Sequence, residues 1–131
     1  MSKPKSKTEK KIDNNVRLAL TQVCDDALVK VEGFEWLTHQ ANYTNFPASL
    51  LVTCVFDTEL AFAEATKNGD TLWLQKQIQS RLLKMGVRFK AINKQIIFDT
   101  EELCRQENEG DWSIRLQSRR GREVLKNRPN L

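Results

Sequence analysis

Val55-Phe56-Asp57-Thr58-Glu59-Leu60 and Ile97-Phe98-Asp99-Thr100-Glu101-Glu102-Leu103 are nearly the same segment written twice. Each closes an apolar, strand-like run and opens an acidic, helix-like one. The pair marks a strand-to-helix joint used at two places in the chain. Asp57 and Asp99 fall at equivalent points, where an aspartate caps a helix by accepting a bond from a free backbone N–H. Glu59, Glu101 and Glu102 suit the positive end of the following helix, and Asp99-x-x-Glu102 resembles a capping box with Asp in place of Ser or Thr. The alternative is chemical. Two strand-end aspartates with glutamates nearby carry the oxygen donors that hold Mg²⁺.

Working outward from the first joint, Leu50 to Phe56 is apolar on both faces, as a central strand is. Phe34 to Gln40 reads as its partner, with Phe34, Trp36 and Thr38 on one face and Leu37 on the other. Residues 41–48 form a loop by their Asn and Pro content. Upstream, Ile12, Val16, Leu20, Val23, Ala27 and Val31 recur at spacings of three and four, which predicts a long amphipathic helix over Thr8 to Val31, stopped at Gly33. Downstream, a short helix from Thr58 to Lys67 ends at Asn68-Gly69. Asp70 caps another over Thr71 to Met85, with Leu74, Ile78, Leu82 and Met85 on one stripe and Lys84 and Gly86 as stop signals.

Val87 to Ile92 alternates apolar with basic residues, as a half-exposed edge strand does. Asn93-Lys94 reads as a two-residue hairpin turn into a return strand from Gln95 to Phe98. Asp99 opens a helix that breaks at residues 107–110. Asp111 caps a last one through about Ser118, with Trp112 and Leu116 on one face. The order predicts one α+β domain: a four-stranded, mostly antiparallel sheet with a long N-terminal helix and further helices packed on it. The repeated joint suggests a ββα duplication. If its halves are equivalent, Asp57 and Asp99 lie at the same end of the sheet. Residues 1–7 read as a disordered basic arm, 8–118 as the domain and 119–131 as a basic tail.

The 131 residues are enough for one domain with a proper core. No apolar run approaches the roughly 20 residues that span a bilayer, and the first residues carry no secretory pattern. Cys24, Cys54 and Cys104 are scattered and odd in number, so they read as small buried hydrophobes in a reducing cytoplasm. The net charge of +4 is uneven. Residues 1–11 carry five lysines and one glutamate, residues 113–131 carry five arginines and a lysine against Glu123, and the stretch between is acidic. Basic ends of this kind neutralise phosphates or simply solubilise the chain.

No Gly-x-x-x-x-Gly-Lys loop, Gly-x-Gly-x-x-Gly turn, nucleophile elbow or histidine pair with metal spacing occurs, so no cofactor and no catalytic residue is expected. His39, the single histidine, reads as a partly buried, hydrogen-bonded ring. His39, Asn42, Tyr43 and Phe46 lie in an uncharged loop whose rings suit stacking on bases or gripping a peptide, or else plugging the edge of the core.

Arg81-Leu82-Leu83-Lys84-Met85-Gly86-Val87 resembles the end of the recognition helix in Fis-type DNA-binding regulators, and the whole chain is similar to small bacterial proteins grouped with them. The resemblance covers Thr71 to Val87 and implies Lys76, Arg81 and Lys84 as phosphate contacts. Predicted strands flank this stretch, whereas the Fis fold is all helical. The leading expectation is a non-enzymatic cytoplasmic nucleic-acid-binding protein with no membrane partner. Its phosphate contacts would be Lys3, Lys5, Lys7, Lys10, Lys11, Lys76, Arg81, Lys84, Arg115, Arg119, Arg120, Arg122, Lys126 and Arg128. A protein-interaction or dimeric module is the alternative, resting on the long helix and on Trp73 beside Leu72 and Leu74. A metal-dependent enzyme using Asp57 and Asp99 is the third reading.

Overall fold

A computed structural model describes residues 6–120. The remainder of the basic arm, residues 1–5, and of the tail, residues 121–131, lie outside the described residues. The elements run α1 (Lys7–Lys30), β1 (Phe34–Gln40), a 3₁₀ turn (Tyr43–Asn45), β2 (Leu51–Phe56), α2 (Glu59–Lys67), α3 (Asp70–Lys84), α4 (Ile92–Gln95), β3 (Ile96–Thr100), α5 (Glu101–Asn108) and α6 (Trp112–Arg120).

The three strands lie in the order β1-β2-β3. β1 is antiparallel to β2, pairing Leu37 with Cys54 and Gln40 with Leu51. β3 is parallel to β2, pairing Val52 with Ile96 and Phe56 with Thr100. Every residue of β2 is buried, as a central strand with both faces covered requires.

Val52, Cys54, Phe56 and Ile96 face the main core, which α1 and α3 complete. Val16, Leu20, Val23 and Ala27 form the buried stripe of α1, and Leu74, Ile78 and Leu82 that of α3. The two helices run antiparallel. Lys30 meets Asp70 at 3.6 Å, and Arg81 reaches back to Asp26 at 2.8 Å. Truncating a fully buried member such as Leu82 to Ala removes about 2–5 kcal/mol of packing. Between α1 and β1, Gly33 takes φ +86, and a Cβ there would stand 2.5 Å from the Ala61 side chain. A turn in the left-handed region with α2 against it leaves room only for glycine.

The opposite sheet face carries Trp36, Thr53, Val55, Ile97 and Asp99, in register with one another. α6 lies over it, with Gln40 Nε2 donating to the Leu116 carbonyl at 3.1 Å and the rings of Trp36 and Trp112 meeting edge-on at 4.8 Å.

The sheet therefore has three strands and a parallel pair, in place of a four-stranded, mostly antiparallel one. The segment predicted as the extra strand, Val87 to Ile92, pairs with no strand. It is irregular chain leading into the single turn α4, and the predicted hairpin residues Asn93 and Lys94 lie inside that turn. Gln95 explains the difference. Its Oε1 accepts from the backbone N–H of Lys90 and of Ala91, and its Nε2 donates to the carbonyls of Pro47 and Leu50. One buried side chain satisfies backbone groups that a strand would have satisfied by pairing. Without that strand the second half is not a ββα copy of the first. The joint itself is repeated, and the parallel pairing puts Asp57 and Asp99 toward the same end of the sheet.

The caps shift by one residue. Thr58 Oγ1 accepts from Ala61 N, and Thr100 Oγ1 accepts from Leu103 N, each at 3.0 Å. α3 starts from Gly69, with Asp70 in its first turn. Asp111 does cap α6, accepting from Ile114 N at 3.1 Å.

Candidate nucleic-acid interface

Two ends of the sheet carry different chemistry. At the carboxyl ends of β2 and β3 the two joints brace each other. The Glu102 backbone N–H donates to the Asp57 carbonyl at 3.1 Å, and Glu102 Oε1 accepts from Glu59 N at 2.8 Å. Glu101 accepts from both indoles, Trp36 at 2.7 Å and Trp112 at 2.8 Å. Asp99, fully buried, grips Arg115 through two bonds of 2.7 and 2.9 Å. Arg115 also donates to Glu107 and Asn108. Burial opposes the Arg115 charge, but the hydrogen bonds it donates to Asp99 and Glu107, with the charges of both carboxylates, outweigh burial and raise its pKa further. Glu32, Glu35 and Asp57 are exposed around this end.

This geometry bears on the metal reading. The Asp99 carboxylate is committed to a guanidinium, while Asp57 is exposed. Among the described residues no three His, Cys, Asp or Glu side chains stand close enough to hold a metal ion.

At the other end, Asp13 gathers the predicted loop. Its Oδ1 accepts from the Tyr43 hydroxyl and contacts His39 Nε2 at 3.0 Å, while its Oδ2 accepts from Arg17 at 2.8 Å. Burial by itself would raise the Asp13 pKa. The bonds from Tyr43 and His39, with the His39 and Arg17 charges, hold it below its ordinary 3.8. Burial and the Asp13 carboxylate push the Tyr43 phenol upward. Tyr43 stacks on Phe46 at 5.3 Å, and both rings pack on the core. Asn42 Oδ1 accepts from the Thr44 backbone at 3.0 Å, which shapes the turn. The loop thus folds back and closes the edge of the core.

Several segments converge here. β1 ends where β2 and β3 begin, and Gln95 ties α4 to the loop. Asp13 anchors α1 to this end, so Lys7 projects about 9 Å further at 1.5 Å per helical residue. Lys84 and Met85 at the end of α3 border the same groove as Asn15 and Ala19 of α1. α6 passes from Trp36 toward Gln40 and so runs toward this end as well. Lys7, Lys10, Lys11, Lys84, Arg88, Lys90 and Lys94 are all exposed, and none forms an ion pair with another described residue. The described chain begins on α1 and finishes on α6, and both helices have one end directed here.

The predicted contacts therefore divide. Lys7, Lys10, Lys11 and Lys84 belong to the basic end. Lys76 is exposed along α3, and Arg81 is held by Gln22 and Asp26. Arg115 is removed from the surface set, because its side chain is 6% exposed and spent on Asp99. Arg119 and Arg120 lie in α6, and their side chains fall outside the described residues, as do Lys3, Lys5, Arg122, Lys126 and Arg128. Arg88, Lys90 and Lys94 join the cluster although the alternating pattern reads the first two as the outer face of a strand. Their signal in the sequence is only a basic stretch between Gly86 and Gln95. No family model, curated protein or solved structure matches this chain.

Proposed function

We propose that the protein binds nucleic acid, in a non-enzymatic role, through the basic end. The observation that carries the reading is the set of exposed cations from α1, the end of α3 and the 88–94 segment on one end of the fold, none of them ion-paired with another described residue. Phosphates are neutralised by such a set through release of their counterions, which needs no pocket and no motif. Lys7, Lys10 and Lys11, in the first turns of α1, add their charge to the same field. The acidic opposite end gives the field a direction, so a polyanion approaches from one side. The resemblance of residues 81–87 to a Fis-type recognition helix belongs to the same proposal and assigns Lys84 a phosphate.

Fluorescence polarisation with labelled single strands and duplexes tests it. Binding at low salt is expected, with a log–log salt slope of roughly −0.7 per contacted phosphate on single strands and −0.9 on duplex. Replacing Lys84, Arg88, Lys90 and Lys94 by Gln should flatten that slope, while Lys67→Gln on α2 should leave it unchanged. Absence of binding at low salt overturns the reading.

A second reading has its own observation. Val29 is 90% exposed and Leu60 71%, both near the acidic end. Large exposed aliphatic groups favour a protein contact, self-association included. Light scattering should then show a concentration-dependent dimer. A constant monomer mass, with no partner for that end, counts against it.

A further inference from the structure

A groove of about 300 Å³ runs between α1 and α3, lined by Asn15, Ala19, Gln22, Arg81, Lys84 and Met85. It opens beside the basic end, yet it differs from the rest of that surface in being concave and chemically mixed. Lys84 is an exposed cation on one lip. Arg81 is oriented from behind, donating from Nη1 to Gln22 Oε1 at 2.5 Å and from Nη2 to Asp26 Oδ2 at 2.8 Å. Ala19 and Met85 supply an apolar wall, both partly buried against the core. Asn15 and Gln22 contribute side-chain amides, which both donate and accept.

We propose that this groove seats one nucleotide unit, either a free nucleotide or one residue of a single strand. The phosphate lies on Lys84 and Arg81, the base against Met85 and Ala19, and the base edge at the Asn15 and Gln22 amides. The proposal rests on the nucleic-acid reading and narrows it to unpaired nucleotides. Each part has a chemical reason. A lysine is a compact charge for phosphate, and an arginine adds directed donors. The polarisable methionine sulfur makes favourable contacts with aromatic rings. The volume is at the small end of ligand sites, so it admits one base and its sugar. In a duplex the base faces are stacked away, whereas a single strand offers them. Asp26 is the element that sets the affinity, because an incoming phosphate competes with its carboxylate for Arg81.

That competition gives the test. With 5′-AMP as probe, backbone amide NMR shifts at residues 15, 19, 22 and 81–85 should saturate together. Inorganic phosphate, lacking a base, should bind more weakly at the same amides, and Met85→Ala should weaken 5′-AMP without affecting phosphate. Asp26→Asn should tighten 5′-AMP by about twofold to fivefold, the worth of an exposed ion pair. Asp25→Asn, with the same charge change one residue away and no contact with Arg81, should give a smaller change. Shifts that do not saturate, or equal effects of Asp25→Asn and Asp26→Asn, overturn the proposal. If a labelled single strand binds while 5′-AMP leaves the groove amides unmoved, the groove assignment fails and the electrostatic reading stands. If 5′-AMP fills the groove and no strand binds at low salt, the groove stands as a small-molecule site and the nucleic-acid reading fails.

Discussion

Asp57 and Asp99 stand at the same point of a repeated segment, yet their surroundings are opposite. Asp57 is exposed and lends only backbone groups, its N–H to the Gly33 carbonyl and its carbonyl to Glu102. Asp99 is fully buried and holds Arg115 by two bonds. The difference comes from register. β2 and β3 pair Val55 with Asp99, so Asp99 still lies within the sheet, on the face that α6 covers, while Asp57 has passed the end of its strand. A strand that runs two residues further along the repeated segment turns a surface carboxylate into the anchor of a helix. Local sequence similarity reports local geometry, here the threonine cap and acidic first turn that both joints share, and not the environment the geometry enters.

The largest test of this contrast is Asp99→Asn. It removes the buried counter-charge of Arg115 and leaves only the exposed carboxylate of Glu107 to balance it, and chemical denaturation should show a loss of about 3–5 kcal/mol. A cost below 1 kcal/mol would show that the pair does not anchor α6. Asp13→Asn comes next, because its carboxylate serves three donors at the other end of the molecule. Hydrogen bonds to a charged group suggest a loss of about 1.5–3 kcal/mol at neutral pH. The sign with pH follows from its depressed pKa. The contribution is complete above the unfolded value of 3.8 and disappears as pH falls through the lower folded value. Stability curves of the variant and the parent should therefore converge in acid, and parallel curves would contradict the Asp13 assignment.

Thr58→Ala and Thr100→Ala each remove one helix cap and should cost about 1 kcal/mol. Near-equal losses would sharpen the view that capping is what the two segments truly share. The smallest effect belongs to Asp57→Asn, expected within about 0.5 kcal/mol as for a surface substitution. If Asp57→Asn costs as much as Asp99→Asn, the contrast between the joints is broken.

The cations divide in the same way. Arg115 and Lys84 both look like surface charges in the chain, but one lies over a buried aspartate and the other at a free helix end. The stretch from Arg88 to Lys94 reads as strand and turn because its alternation matches a period of two. Gln95 overrides that preference by supplying four hydrogen bonds to backbone groups, and a glutamine carries no periodic signal. The basic end could not be found by counting charges along the chain, since its members come from separate segments.

By itself the amino-acid sequence determined the long amphipathic helix, the central apolar strand, the second α-helical stripe and the strand-to-helix joints. Each depends on neighbours within a few residues, where periodicity and capping act directly. Only the tertiary structure decided the number of strands, the parallel pairing, the burial of Asp99 with Arg115, and the meeting of α1, α3 and the 88–94 segment at one end. Those features depend on partners far apart in the chain, which hydrogen-bond satisfaction and burial select only once the whole domain is assembled.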